Sequence, residues 1–133
     1  MNLMMLLEMA ASGLGDRVAV TNGDESLTYS ELFAAAGAAA AEISKSGCER
    51  MAVLDVSSLA VPIGLFSSAW AGVPFVPLNY RLTGVELEGL VTQIAPSYLV
   101  TDAERVEGLA RLPDTTVAVR EAFLEQATTG QAG

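Results

Sequence analysis

From Val56 to Leu78 the chain carries no charged side chain, a stretch long enough to cross a bilayer if it formed one helix. Pro62, Pro74 and Pro77, with Gly64 and Gly72, divide it into separate pieces instead. One arginine on either side, Arg50 and Arg81, gives no positive-inside bias. Buried soluble structure is expected here, with no membrane span. The first piece is a helix from Leu59 to Ala71, capped by Ser57 or Ser58 and ended by Gly72, with Pro62 in or near its first turn. It is apolar on every face, so it is either surrounded or waits for a partner. The second piece, Val73–Leu78, is a strand whose two prolines place it at an edge or in an irregular position.

The rest of the chain alternates in the same way. Leu3, Leu6, Leu7 and Ala10 recur at helical spacing behind an Asn2 cap, and Val18–Val20 is a short strand followed by a turn. Thr28 and Glu31 form a capping box, with Leu27 stapled against Leu32, for a helix that runs through an alanine tract to Gly47. Met51–Val56 has strand length. Thr83 and Glu86 are spaced as a second capping box, and Leu87, Leu90, Val91 and Ile94 make an inward stripe that Pro96 closes. Ser97–Thr101 is a strand, Asp102 caps a helix to about Arg111, Thr115–Val119 is the last strand and Glu121–Ala127 the last helix. The tail, residues 128–133, is expected to fray. This order predicts an α/β fold, a mainly parallel sheet with helices on both faces.

Composition narrows the chemistry. With 133 residues, 51% of them hydrophobic, the chain suits one domain with a core of its own. Sixteen acidic residues against seven basic ones, a net charge of −9, argue against nucleic acid as a partner. Without histidine there is no Ser-His-Asp triad and no His-ligated metal within the chain. The single cysteine, Cys48, permits no internal disulfide and suits a reducing cytoplasm, the expected location. The start of the chain lacks a basic region and meets Glu8 early, so no secretory signal is expected.

Several residues invite a chemical role and find a plainer one. Gly13-Leu14-Gly15 precedes a strand, where a phosphate-binding glycine loop would follow one, and reads as a helix-ending loop. Asp55 lies near a strand end but lacks the acidic pair and the lysine of a receiver-type pocket, so a strand-end or capping role is expected. Asp24-Glu25 reads as a solvated turn, Cys48 as an inert thiol near Arg50, and Phe66 and Trp70 as core. Arg81 stands apart. It follows the end of a strand and precedes a strongly signalled helix, and it either serves a site or pairs with Glu86 or Glu88 on the surface.

The segments Leu27-Thr28-Tyr29-Ser30-Glu31-Leu32, Met51-Ala52-Val53-Leu54, Trp70 through Leu87 with its Val76-Pro77-Leu78-Asn79-Tyr80-Arg81-Leu82-Thr83 core, and Leu99-Val100-Thr101-Asp102 occur in an order that resembles the adenylate-forming acyl-CoA synthetases, the AMP-binding enzymes. The likeness covers about residues 15–102; Tyr80 stands where proline is common, and Asp55-Val56-Ser57-Ser58 where a Pro-Asn-Ser turn is frequent. The resemblance implies that a carboxylic acid, fatty acids included, is activated with MgATP to an acyl-adenylate and passed to coenzyme A. It also implies that residues 1–133 are the incomplete N-terminal segment of a large AMP-binding domain, whose partner is the remainder of the parent enzyme. The phosphate loop, the Thr-Glu pair, the ribose-binding aspartate and the mobile lysine of that family have no counterpart in these 133 residues. No catalytic residue, no metal ligand and no cofactor bound by this chain alone are therefore expected; ATP, magnesium and coenzyme A belong to the parent. By the resemblance, Arg81 is the one candidate binding residue, holding a phosphate of coenzyme A. Two alternatives remain: a free-standing α/β binding module, and an assembly protein whose apolar helix serves a partner. Orphaned apolar surface on that helix leads to an expected homo-oligomer.

Overall fold

A computed structural model describes residues 3–55 and 58–129. Helix α1 (Leu3–Leu14) leads into a hairpin of β1 (Val18–Asn22) and β2 (Glu25–Thr28), which pair antiparallel around a turn with Gly23 at φ +61°. The return strand β2 was not expected. Its Glu25 and Ser26 are exposed and only Leu27 is buried, so it lacks the apolar alternation that marks a strand.

Helix α2 (Tyr29–Ser46) begins as expected. The Glu31 amide donates to Thr28 Oγ1 at 3.1 Å and the Thr28 amide to Glu31 Oε1 at 2.9 Å, while Gly47 ends the helix at φ +71°. Next come β3 (Arg50–Leu54), α3 (Ala60–Ala71), β4 (Phe75–Leu78), α4 (Gly84–Gln93), β5 (Ser97–Thr101), α5 (Ala103–Ala110), β6 (Thr115–Val119) and α6 (Arg120–Thr129). The last four strands form one wholly parallel sheet in the order β4-β3-β5-β6, so the proline-bearing β4 is at an edge as expected.

Side chains alternate across this sheet. Met51, Val53, Tyr98 and Val100 point into a core with α1, α2, α3 and α6, whereas Ala52, Leu54 and Leu99 point into a second core with α4 and α5. Helices thus cover both faces. The alanines of α2 let it lie close along α3, and α3 comes close to the sheet at Gly64.

Some expectations need correction. No cap bond forms between Thr83 and Glu86, because the chain enters α4 through Gly84 at φ +61°, which turns the first peptide out of capping geometry. Helix α3 is half-embedded and not surrounded: Ile63, Gly64, Ser67 and Ser68 are buried, while Val61 and Leu65 stay exposed. Its two buried hydroxyls bond back to the Gly64 and Leu65 carbonyls at 3.1 and 2.8 Å. Thr128 and Thr129, expected in a frayed tail, complete α6. Residues 130–133, the Asn2 cap, the Val56 strand end and the Ser57 cap lie outside the described residues. Among those described, no helix is long and apolar enough to cross a membrane.

Candidate functional site

In a parallel sheet with helices on both faces, the strands' carboxyl ends are where loops can gather polar groups around a ligand. Two polar clusters sit on that edge here. The first is centred on Asp55, immediately after β3, whose side chain is only 2% exposed. Arg120, the first residue of α6, donates through Nη1 to both carboxylate oxygens, at 2.7 and 3.0 Å. Because β5 lies between β3 and β6, this ion pair ties together the ends of two strands that are not neighbours. Ser58 Oγ donates to Asp55 Oδ2 at 3.3 Å and accepts the Ala60 amide at 3.2 Å, one position ahead of the N-cap, which is Leu59 and not a serine as expected. Arg120 Nε also reaches Glu121 at 2.7 Å. The hydrogen bond that Arg120 donates to Asp55 is the main cause holding the pKa of its guanidinium above the ordinary value, against a smaller opposing effect of burial. Asp55 therefore has the strand-end role expected of it. A groove of about 540 Å³ opens beside it, lined by Asn22, Ser58, Pro62, Phe75 and Leu78 among others.

The second cluster surrounds the turn after β4. Asn79 Oδ1 accepts the Arg81 amide at 2.9 Å and the Asn79 carbonyl accepts the Leu82 amide at 3.0 Å, which shapes the Asn79-Tyr80-Arg81 turn. The Arg81 guanidinium is exposed and lies 5.7 Å from the centre of the Tyr80 ring. Neither Glu86 nor Glu88 pairs with it among the described residues. Arg105 Nη2 donates to the Tyr80 carbonyl, and Arg105 Nη1 is 3.3 Å from the Asp102 carboxylate that caps α5. The start of α5 thus holds the turn that carries Arg81.

The remaining candidates settle into structure. A Cβ on Gly15 would sit 2.4 Å from Ser30 Oγ, so this glycine closes a tight helix-ending loop. Cys48 is half-buried with its sulfur 3.7 Å from the Ile43 carbonyl, and Arg50 turns instead to the Ile94 carbonyl at 3.3 Å. Trp70 stacks obliquely on Phe33, ring centres 5.0 Å apart, and Phe66 packs against the same core. Asp24 and Glu25 are exposed at the hairpin. Lys45, the only lysine, pairs with Glu42 on α2 at 3.5 Å. Among the described residues no three carboxylate, thiol or imidazole groups come together to hold a metal.

Sequence reasoning missed Arg120 and Arg105. A signal for Arg120 exists: a cation in the first turn of a helix opposes the helix dipole and suggests a partner elsewhere. The i,i+3 spacing of Asp102 and Arg105 marks the local pair, but nothing local marks the bond from Arg105 to the Tyr80 carbonyl.

The sequence matches the family described as AMP-binding enzyme over residues 7–132. A feruloyl-CoA synthase from an Amycolatopsis species is 34% identical over 97 residues, 71% of this chain and 20% of that protein. A benzoate CoA ligase from Burkholderia xenovorans LB400 superposes with a TM-score of 0.85 at 20% identity, over 100% of this chain and 29% of the other. ATP-bound MatB from Rhodopseudomonas palustris gives 0.80 at 25% identity, over 99% and 29%. The chain spans a fifth or less of the length of the curated relatives it matches.

Proposed function

Because the chain belongs to the AMP-binding enzyme family, we propose that it supplies the N-terminal part of the large domain of an ATP-dependent acid–CoA ligase. Such an enzyme joins a carboxylic acid, fatty acids included, to coenzyme A through an acyl-adenylate. The observation that carries this reading is the family match over residues 7–132, nearly the whole chain. The ligase relatives that share the sequence and the fold support it. A free-standing module or an assembly protein has no comparable support.

The residues present do not fit ATP or magnesium. No glycine-rich loop follows a parallel strand, the lone lysine is engaged on α2, and the described carboxylates form no metal-binding group. No step of adenylation is therefore assigned to this chain. Its contribution is a scaffold: a parallel sheet that would shield one side of the reaction from water. Arg81 does fit an anion. It is an exposed guanidinium on a turn braced by Asn79 and Arg105, and it would hold a phosphate of coenzyme A. A cytoplasmic location, supported by the single thiol, belongs to the same reading, as does self-association, supported by the apolar side chains left exposed on α1 and α3.

Grafting tests this. The chain replaces its matching segment in the feruloyl-CoA synthase, and the chimera is assayed for both half-reactions. Retained ligase activity is expected, with Arg81→Ala raising the KM for coenzyme A by about one to two decades and sparing adenylation. A folded chimera without adenylation overturns the ligase reading, and an unchanged KM removes Arg81 from the site.

A further inference from the structure

The turn that carries Arg81 is anchored at its ends, and its middle is held from another element. Leu78 before it and Leu82 after it pack against the second core. The Leu82 amide donates to the Asn79 carbonyl at 3.0 Å, which closes Asn79-Tyr80-Arg81-Leu82 as a four-residue turn. The central peptide of such a turn, here the one joining Tyr80 to Arg81, can flip with little movement of its neighbours, and the flipped form puts the third residue at positive φ. Arg81 is not in that form, since Asp114 is the only non-glycine residue with positive φ among those described. Both polar groups of this peptide are engaged. Its N–H donates to Asn79 Oδ1 at 2.9 Å, and its C=O accepts Arg105 Nη2 from the first turn of α5. Arg105 is set in turn by the residue that caps its helix. Asp102 accepts the Arg105 amide at 3.1 Å through Oδ1 and Arg105 Nη1 at 3.3 Å through Oδ2.

We propose that Arg105 is a positioning residue for coenzyme A: it and Asn79 hold the Tyr80–Arg81 peptide from opposite ends and so fix the direction in which Arg81 presents its guanidinium to a coenzyme A phosphate. This rests on the coenzyme A reading of Arg81 given above and adds the residues that aim it. A rocking or flipped peptide re-aims the Cα–Cβ bond of Arg81. A backbone already fixed lowers the ordering cost that binding would otherwise meet. Arg105 does not itself take the phosphate, because both of its terminal nitrogens are committed within the fold and Asp102 offsets its charge. The position calls for a fork: a planar guanidinium reaches two partners in fixed directions, and an ammonium does not.

The feruloyl-CoA synthase carrying this chain in place of its matching segment provides the assay, with each half-reaction followed separately. Arg105→Met and Asn79→Ala should each raise the KM for coenzyme A about three- to tenfold, less than Arg81→Ala does, and leave adenylation as it was. Asn79→Ala alters no charge, so a general electrostatic effect would not produce its rise. Arg105→Lys keeps the charge without the fork; it should raise the KM too, and it decides the matter if Arg105→Met fails to fold. In the Arg81→Ala background none of these substitutions should raise the KM further, because no guanidinium is left to aim. A further rise there overturns the positioning role by showing that Arg105 acts on the ligand directly or through its charge. Adenylation falling in parallel overturns it by showing a general loosening of the fold. An unchanged KM in the Arg105 variants beside a raised one in Arg81→Ala removes Arg105 alone. If Arg81→Ala itself leaves the KM unchanged, the coenzyme A reading fails and the positioning role with it.

Discussion

At the scale of single residues, the most consequential side chain is one whose only local signal is its charge in the first turn of a helix. Arg120 neutralises a carboxylate that is only 2% exposed, and removing one member of such a pair costs more than the pair contributes. Arg120→Ala should lower stability by about 3 kcal/mol, read as a shift in the urea midpoint at unchanged slope. Replacing Asp55 in the same background should cost little more, because the two sites share one interaction. Tyr98 makes a second prediction. Burial first, then the charges of Glu42 and Cys48, push its phenol from 10.0 up to about 12. The folded value lies above the unfolded one, so this contribution is whole below about pH 10 and is lost as the pH climbs towards 12. Up to about 2–3 kcal/mol of stability should disappear over that window, and Tyr98→Phe should flatten the alkaline limb of a stability profile. Gly15 and Trp70 were legible because a helix-ending glycine and an apolar helix show in the local sequence; Asp55 was legible only as a strand end, since its partner Arg120 is sixty-five positions away. The bond from Arg105 to Tyr80 was not legible, since Tyr80 is twenty-five positions away.

At the scale of elements, periodicity and caps were readable wherever they were complete. The Thr28–Glu31 box formed as spaced, and β3 formed where an apolar run of strand length predicts it; its two faces, both apolar, are told apart only by the structure. The Thr83–Glu86 spacing was identical yet made no bond, because Gly84 follows the cap and adopts a left-handed conformation. Four-residue spacing alone therefore does not specify a box; the backbone between its ends must be helical. Strand β2 was missed for the opposite reason, since a hairpin partner needs only one buried residue to hold it. Helix α3 supports a prediction at this scale. A Cβ on Gly64 would meet Phe75 Cε1 at 3.0 Å, and Met51 Cε and Val53 Cγ2 at 3.1 Å. The methionine methyl can move, but Val53 sits in a central strand and cannot. Gly64→Ala should cost about 1–2 kcal/mol despite its better helix propensity, measured by thermal unfolding.

Across the whole molecule, the fold class followed from the alternation of elements and the family from the order of four short segments. Which strands neighbour each other did not, because the order β4-β3-β5-β6 depends on which side of β3 each crossover turns to. These residues hold no glycine-rich phosphate loop and their one lysine is engaged with Glu42, and this has a measurable result. Titration of the chain with MgATP should show no micromolar binding and no pyrophosphate release with any carboxylic acid; a charge of −9 repels the nucleotide as well. Strand order also governs how the chain acquires its shape. The hairpin, the β3–β4 unit and the β5–β6 unit are each contiguous in sequence, but β3 meets β5 only after a separation of 47 residues, marked by the Thr101 hydroxyl on the Leu54 carbonyl. Closing that span costs chain entropy before any ladder bond offsets it. The central seam of the sheet is thus expected to zip last, so weakening it should mainly hasten unfolding, while damage within the early β3–β4 or β5–β6 unit should delay refolding.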